Sequence, residues 1–453
     1  MTGSAEIAAF RFGYGLPLPD RMSQTPAQLL AQLTGPDTGA ARWPSYGAAE
    51  VVPVMLALRE ARKMAAVAPE DKATQKAQRR AIKQGKALAL TGAKAAVARA
   101  ISGEGFRERL VAFWADHFTV VPRSRAEFAW PSAMVEDAIR PHLAGPFGAM
   151  LVAVITHPAM LLYLDQANSL GPHSLRGEKN AKGLNENLAR ELLELHTLGV
   201  DAGYGQDDVR QMAELLTGLT VGADKGFVFD ANRVEPGPEV VLGVEYGGDG
   251  PEAIYSALHD LAVRPETAHH IARKLAVHFV ADQPEPALVD ALAAAWTATG
   301  GNLAAVAEAL LGQPAAWTEG AAKARQPYDF VVAALKALGL SGDQVMAMDE
   351  GPFLQLVLNP MAAMGQPWQG AGGPNGWPEA MEDWITPQGM AARISWAMVV
   401  PGQLVTPLPG AAEVAARGLG SRASAALLWA IDAAESRSEA LGLVFAAPEF
   451  NRR

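Results

Sequence analysis

The chain has 453 residues, 48 acidic against 38 basic side chains and no cysteine, for a formal net charge of −10. The missing thiols exclude a disulfide-stapled scaffold, thiolate metal sites and cysteine nucleophile chemistry. The acidic balance argues against generic nucleic-acid binding, whose affinity comes mainly from releasing counterions around phosphates.

Apolar residues make up 49% of the chain and charged residues 19%, a composition that supports a large core. No apolar run approaches the roughly 18 residues of a bilayer-spanning helix. The nearest, 150–155, is closed by His157 and Pro158. The first nine residues lack a basic stretch followed by an apolar one, so no leader is legible and a cytoplasmic location is the default expectation.

Along the chain, Ala/Leu-rich segments of helical period are closed by Gly and Pro, which predicts a mostly α, large multi-helix globular protein. Helices are expected near 49–66, 72–101, 103–119, 134–143, 146–156, 184–198, 206–217, 252–262, 265–280, 286–298, 302–311, 325–338, 387–399 and 421–439. Thr25-Pro26 and Thr386-Pro387 read as helix starts, a capping hydroxyl followed by a proline whose missing N–H costs nothing at the first helical position. The one expected β element is a hairpin, inserted within 220–250, that pairs Phe227 to Asp230 with Glu239 to Glu245 across Glu235-Pro236-Gly237-Pro238. These parts are read as a single helical domain spanning 1–453, with a basic helical arm at 59–101 and a Gly/Trp-rich loop at 360–386.

In the arm, eleven Lys or Arg stand against three Asp or Glu between Arg59 and Arg99. This is either a docking surface for an acidic partner or a phosphate-bearing polymer, or a solvated helical face, and the absence of interleaved aromatics, which would stack on nucleic-acid bases, favours the solvated face.

Segment 184–199 places Glu186, Asn187, Arg190, Glu191 and Glu194 on one arc of a helix and its leucines on the other. Glu186, Arg190 and Glu194 are spaced i, i+4, i+8, so the arginine can pair with a carboxylate on either side. On a wet surface such pairs contribute little; buried, they would hold a cation or supply a general base. His196 falls on the apolar arc, and His117 does the same beside Phe113 and Trp114 on the preceding strongly apolar helix. Two inward imidazoles either converge with Asp116, Glu191 or Glu194 on a divalent metal or form a neutral core pair. His196 also precedes Gly199, a C′ residue in appearance, where an imidazole caps free carbonyls. Trp368, Trp377 and Trp384 of the Gly/Trp-rich loop form either a stacking platform for a sugar-like ligand or a plug on the helical core. Dinucleotide-binding, P-loop, Gly-x-Ser-x-Gly and HExxH patterns are absent.

The run from Glu186 to Val200, followed by Gly203-Tyr204, Gln206, Asp208-Val209 and Thr217-Gly218, resembles the signature of the bacterial domain of unknown function 1800 family (DUF 1800). Arg11-Phe12-Gly13, Trp114 with His117-Phe118, His157-Pro158, Leu162 to Asp165, Ile271 to Leu275 and Gly376-Trp377 follow in that family's order. The resemblance implies a predominantly helical protein, often encoded beside a sulfatase-like protein, with many exported relatives. The chain departs from the pattern at Gly205, Leu219 and Val234, the last standing where relatives usually carry a histidine.

Two functions follow as expectations. One is a helical scaffold that binds a partner, such as the sulfatase-like protein that the resemblance implies. The alternative is an enzyme or a metal- or sugar-binding protein. Its candidate site residues are Glu191, Glu194, Arg190, His196 and His117, with Trp368, Trp377 and Trp384 as ligand platform and a divalent metal as a possible cofactor.

Overall fold

A computed structural model describes the chain except residues 1, 17–23, 103, 125–126, 180–182, 201, 223, 249 and 320–322. Its described residues are mostly α-helical. Local chemistry sets several helix starts: Thr25 accepts from the Gln28 N–H and closes a capping box, and Thr386 accepts from the Gly389 N–H, each just before the expected proline. The expected helix at 421–439 is two, Ala425–Asp432 and Arg437–Ala446, because Ser424 and Ser436 each cap a separate start. The 134–143 segment is a π-helical turn, Val135–Ile139, running into a 3₁₀ turn, Arg140–His142.

Among the described residues, four short strands lie between helices: β1 (Leu219–Gly222), β2 (Gly226–Phe229), β3 (Glu239–Val241) and β4 (Val244–Tyr246). The expected pairing of the Phe227 segment with the Glu239 segment is not formed. Instead β1 pairs with β2, Leu219 opposite Phe229, and β3 pairs with β4, Val241 opposite Val244. Pro236 and Pro238 offer no N–H to a ladder. Leu242 and Gly243, at φ 52° and 78°, make a two-residue turn that folds β3 back onto β4. The Asp208 carboxylate accepts the Leu242 N–H at 2.7 Å and pins that turn to the helix below.

The helices Ala48–Val67 and Lys72–Ser102 pack against each other as the basic arm. The far part of the arm is solvated, while Ala93, Val97, Ala98 and Ile101 anchor its base. Two apolar cores organise the rest. One gathers Phe106, Phe113, Trp114, Phe147, Leu192 and Trp296; the other gathers Phe330, Val357, Trp396 and Phe445. The helix Gly105–His117 belongs to the first and the helix Pro327–Ala337 to the second. A buried ion pair between Arg109 and Asp329, at 2.9 Å, crosses the seam between them. No described helix is long and apolar enough to cross a membrane.

Candidate functional site

The central motif helix continues from Asn187–Glu191 into a π-helical segment, Leu192–Thr197. Arg190 pairs with Glu186 at 3.3 Å and with the Gln206 carboxamide at 3.0 Å, and both ends of the ion pair are about one-third or more exposed. Glu194 lies within the π segment and makes no ion pair with Arg190 among the described residues. Glu191 is half-buried, and burial followed by the nearby Glu194 raises its carboxyl above the usual range. Gly199 has φ +92°, and a Cβ there would meet the His270 ring at 2.8 Å, so the expected terminating glycine is required by both backbone and packing.

His196 is fully buried, with neither ring nitrogen bonded. Burial, then Lys274 and His270, push it down to about 3. The carbonyls of its turn are served from outside: His117 Nε2 approaches the His196 oxygen at 3.2 Å, and His270 Nε2 approaches the Leu195 oxygen at 3.1 Å. A carbonyl only accepts, so each imidazole carries its proton on Nε2. The other nitrogen of His117 accepts from Lys274 Nζ at 3.1 Å. These histidines are neutral donors that satisfy the end of the π segment. Among the described residues, no three His, Asp or Glu side chains are placed to hold a metal ion.

A different set of residues encloses a cavity of about 180 Å³ at the seam between the two cores. One wall is the helix Gly105–His117, with Arg109 and Asp116; the opposite wall is the segment 366–379 of the Gly/Trp-rich loop. That loop is held at many points. Gln366 accepts the Tyr328 N–H at 2.7 Å, Gln369 donates to Ser132 at 2.9 Å, and the Trp377 N–H donates to Asp116 Oδ1 at 2.9 Å. Gly376 lies at φ +75° against Asp116, whose carbonyl oxygen would be 2.6 Å from any added Cβ. Only glycine permits this approach.

Trp368 and Trp377 line the cavity, and Trp368 lies 5.7 Å from the Tyr328 ring. Trp384 does not line it; its indole is buried, packs on Trp377 at 5.9 Å and donates to the Pro378 carbonyl. Of the three indoles, Trp368 and Trp377 border the cavity and Trp384 is a plug on the core. Glu191, Glu194, Arg190, His196 and His117 are not among the residues lining this cavity.

The electrostatics of the wall are uneven. Burial pushes the Asp116 carboxyl up to about 7, against the opposing pull of the Trp377 N–H and Lys274. Glu379 goes the other way: burial alone would raise it, but His278 at 2.5 Å and Lys323 at 3.0 Å hold it well below the usual carboxylate range. Asp329 is likewise kept ionised by Arg109 and by Arg453 at 3.0 Å. Of the five carboxyls among the described residues that line the cavity, Asp116 is thus the one raised toward neutral pH, while Glu379 and Asp329 are held ionised and Glu108 and Glu136 are paired with Arg140 and Arg99. Four further lining residues carry buried polar atoms without a hydrogen-bond partner among the described residues: the Tyr14 and Ser45 hydroxyls, the Trp368 indole N–H and His278 Nε2.

The sequence reading offered Asp116 only as a neighbour of His117 and His196 on a metal, and it missed Tyr14, His278, Asp329 and Glu379. One local signal was available: His270, Lys274 and His278 recur at i, i+4, i+8 on one Ala/Leu-rich helix, Pro265–Phe279.

The profile of a family described as a protein of unknown function (DUF1800) matches residues 8–452. The chain belongs to the DUF1800 family. The match spans both cores, the arm and the tryptophan loop, so the cavity of this DUF1800 protein lies wholly within the family region. No curated protein and no solved structure matches it.

Proposed function

We propose that this DUF1800 protein binds a small polyhydroxylated ligand of carbohydrate type beneath the tryptophan loop, with Asp116 exchanging a proton with it near neutral pH. The observation that carries this reading is the cavity, which combines indole surface with buried polar atoms that have no protein partner. Unmet buried donors and acceptors are costly, and a ligand rich in hydroxyls would satisfy them. At about 180 Å³ the space suits a small ligand rather than a polymer segment. Trp368 and Trp377 would cover the apolar faces of such a ring, and a carboxyl poised near 7 suits general acid–base work.

The test is calorimetry with a panel of monosaccharides and polyols on the wild-type protein and on Trp368→Ala and Asp116→Asn. Binding that falls at least tenfold in Trp368→Ala supports the reading. A panel in which no polyol binds removes it.

The scaffold reading has its own support in exposed apolar side chains near the C-terminal helices, among them Val399 at 56% and Trp429 at 74% exposure. Monomeric proteins use such surface for association when it is contiguous. Co-purification with the sulfatase-like protein that the family resemblance implies, lost on Trp429→Lys, would favour it.

A further inference from the structure

A second concavity, of about 670 Å³, lies between the helix Ala48–Val67 and the hairpin of β1 and β2. Its residues are sorted along the helix. Val52, Met55 and Leu58 come first and face Trp130, Leu162 and Val221. Arg59, Arg62 and Lys63 follow on the same side, and Arg233 lies across from them. From Val52 to Arg62 the helix rises about 15 Å, so one groove runs from a hydrocarbon floor to a cationic end.

Among the described residues, no Asp or Glu lines this groove. Arg233 is engaged with Asp230 and the Ala167 carbonyl, and Lys63 is shared with Glu60 at 2.8 Å. Arg59 and Arg62 are exposed and make no hydrogen bond or salt bridge among the described residues. Around them, residues 59–86 hold nine Lys or Arg against three Asp or Glu, although the whole chain carries a net charge of −10. This local field attracts anions. Trp130 is only 3% exposed, so it offers no open ring face on which a sugar could stack, yet its indole N–H is buried without a partner.

We propose that this groove binds a single-chain anionic amphiphile, a long-chain carboxylate. Its alkyl chain lies on Val52, Met55, Leu162 and Val221, and its head group is paired by Arg59 and Arg62. Aliphatic floor and planar guanidinium donors match the two halves of that ligand, a fork geometry suited to a carboxylate. An anionic polysaccharide would use the cations and leave the apolar floor uncovered. The site is separate from the cavity beneath the tryptophan loop, and the proposal does not depend on it.

The test is calorimetry of the full chain with dodecanoate, dodecan-1-ol, acetate and a sulfated oligosaccharide, below micellar concentration. The expected result is saturable binding of dodecanoate, with the alcohol and acetate at least tenfold weaker. The double variant Arg59→Gln/Arg62→Gln should weaken dodecanoate on the order of tenfold or more and leave the alcohol unchanged. Val52→Trp, which fills the floor, should weaken both. Both arginines are exposed, and an unchanged melting temperature shows that their variant is folded. Dodecanoate binding no tighter than the alcohol, indifferent to the arginines, or absent while the sulfated oligosaccharide binds, overturns the proposal.

Discussion

His117 donates through Nε2 to the backbone oxygen of His196, 3.2 Å away, and accepts from Lys274 through Nδ1. The imidazole is thereby fixed in one neutral tautomer, and a second proton on it would face an ammonium group.

This neutrality sets an acid limit on stability. Burial, reinforced by Lys274, depresses His117 well below 6.5, and takes His196 to about 3 and His270 to about 4. Above pH 6.5 neither folded nor unfolded chain protonates them. As the pH falls below 6.5 the unfolded chain gains protons that the folded chain refuses, so stability is lost. Three such groups give a slope of up to about 4 kcal/mol per pH unit near pH 5. Urea unfolding from pH 8 to 5 measures it, and equal stability at pH 7 and pH 5 would contradict neutral imidazoles.

Asp116 acts with the opposite sign. Its folded value of about 7 lies above the ordinary 3.8. The folded chain then holds a proton that the unfolded chain has released, and this contribution is lost as the pH rises from about 4 through 7. Asp116→Asn removes that dependence and retains an oxygen for the Trp377 N–H. Relative to wild type, the variant should gain about 1–3 kcal/mol between pH 5 and pH 8, a range that allows for partial exposure. Parallel stability curves for the two proteins would contradict the raised value.

Gly376→Ala would place a methyl 2.6 Å from the Asp116 carbonyl oxygen and 2.8 Å from both carboxylate oxygens, at φ +75°. A loss of about 1–3 kcal/mol is expected, together with altered fluorescence from the displaced Trp377. A variant with native melting temperature and emission would show that the loop does not need this approach.

The two arginine clusters should separate cleanly. Arg190→Ala breaks a half-exposed pair with Glu186 and should cost no more than about 1 kcal/mol. Arg109→Ala leaves Asp329 with Arg453 alone and removes donors from the Gly13 carbonyl, so about 3–5 kcal/mol is expected. Comparable losses at both positions in chemical denaturation would reverse the assignment of the ionic groups that hold the fold.

Helix identity was largely legible because it is local. Thr25, Thr386 and Gly199 do in the structure what their neighbours in sequence predict. The π turn at Leu192–Thr197 was not legible, because leucine spacing alone does not distinguish it from an α turn, and of the expected ladder only the Arg190–Glu186 rung forms among the described residues. Strand partners were misassigned because Leu242 adopts a positive φ that leucine rarely takes, stabilised by distant Asp208. Trp368 and Trp377 stood out by composition and do line the cavity. Tyr14, His278, Asp329 and Glu379 did not stand out, because they become neighbours only through tertiary packing and no single helical face contains them.

Arg109 reaches back 96 residues to Gly13 and forward 220 to Asp329, and Arg453 meets the same carboxylate. A nascent chain emerging from the ribosome can bury its first apolar cluster long before these charges meet. Translation products interrupted short of Arg453 would therefore be compact in part yet leave Arg109 and Asp329 without their third member. Protease resistance of stalled or truncated chains would accordingly report when that ionic knot is tied during synthesis.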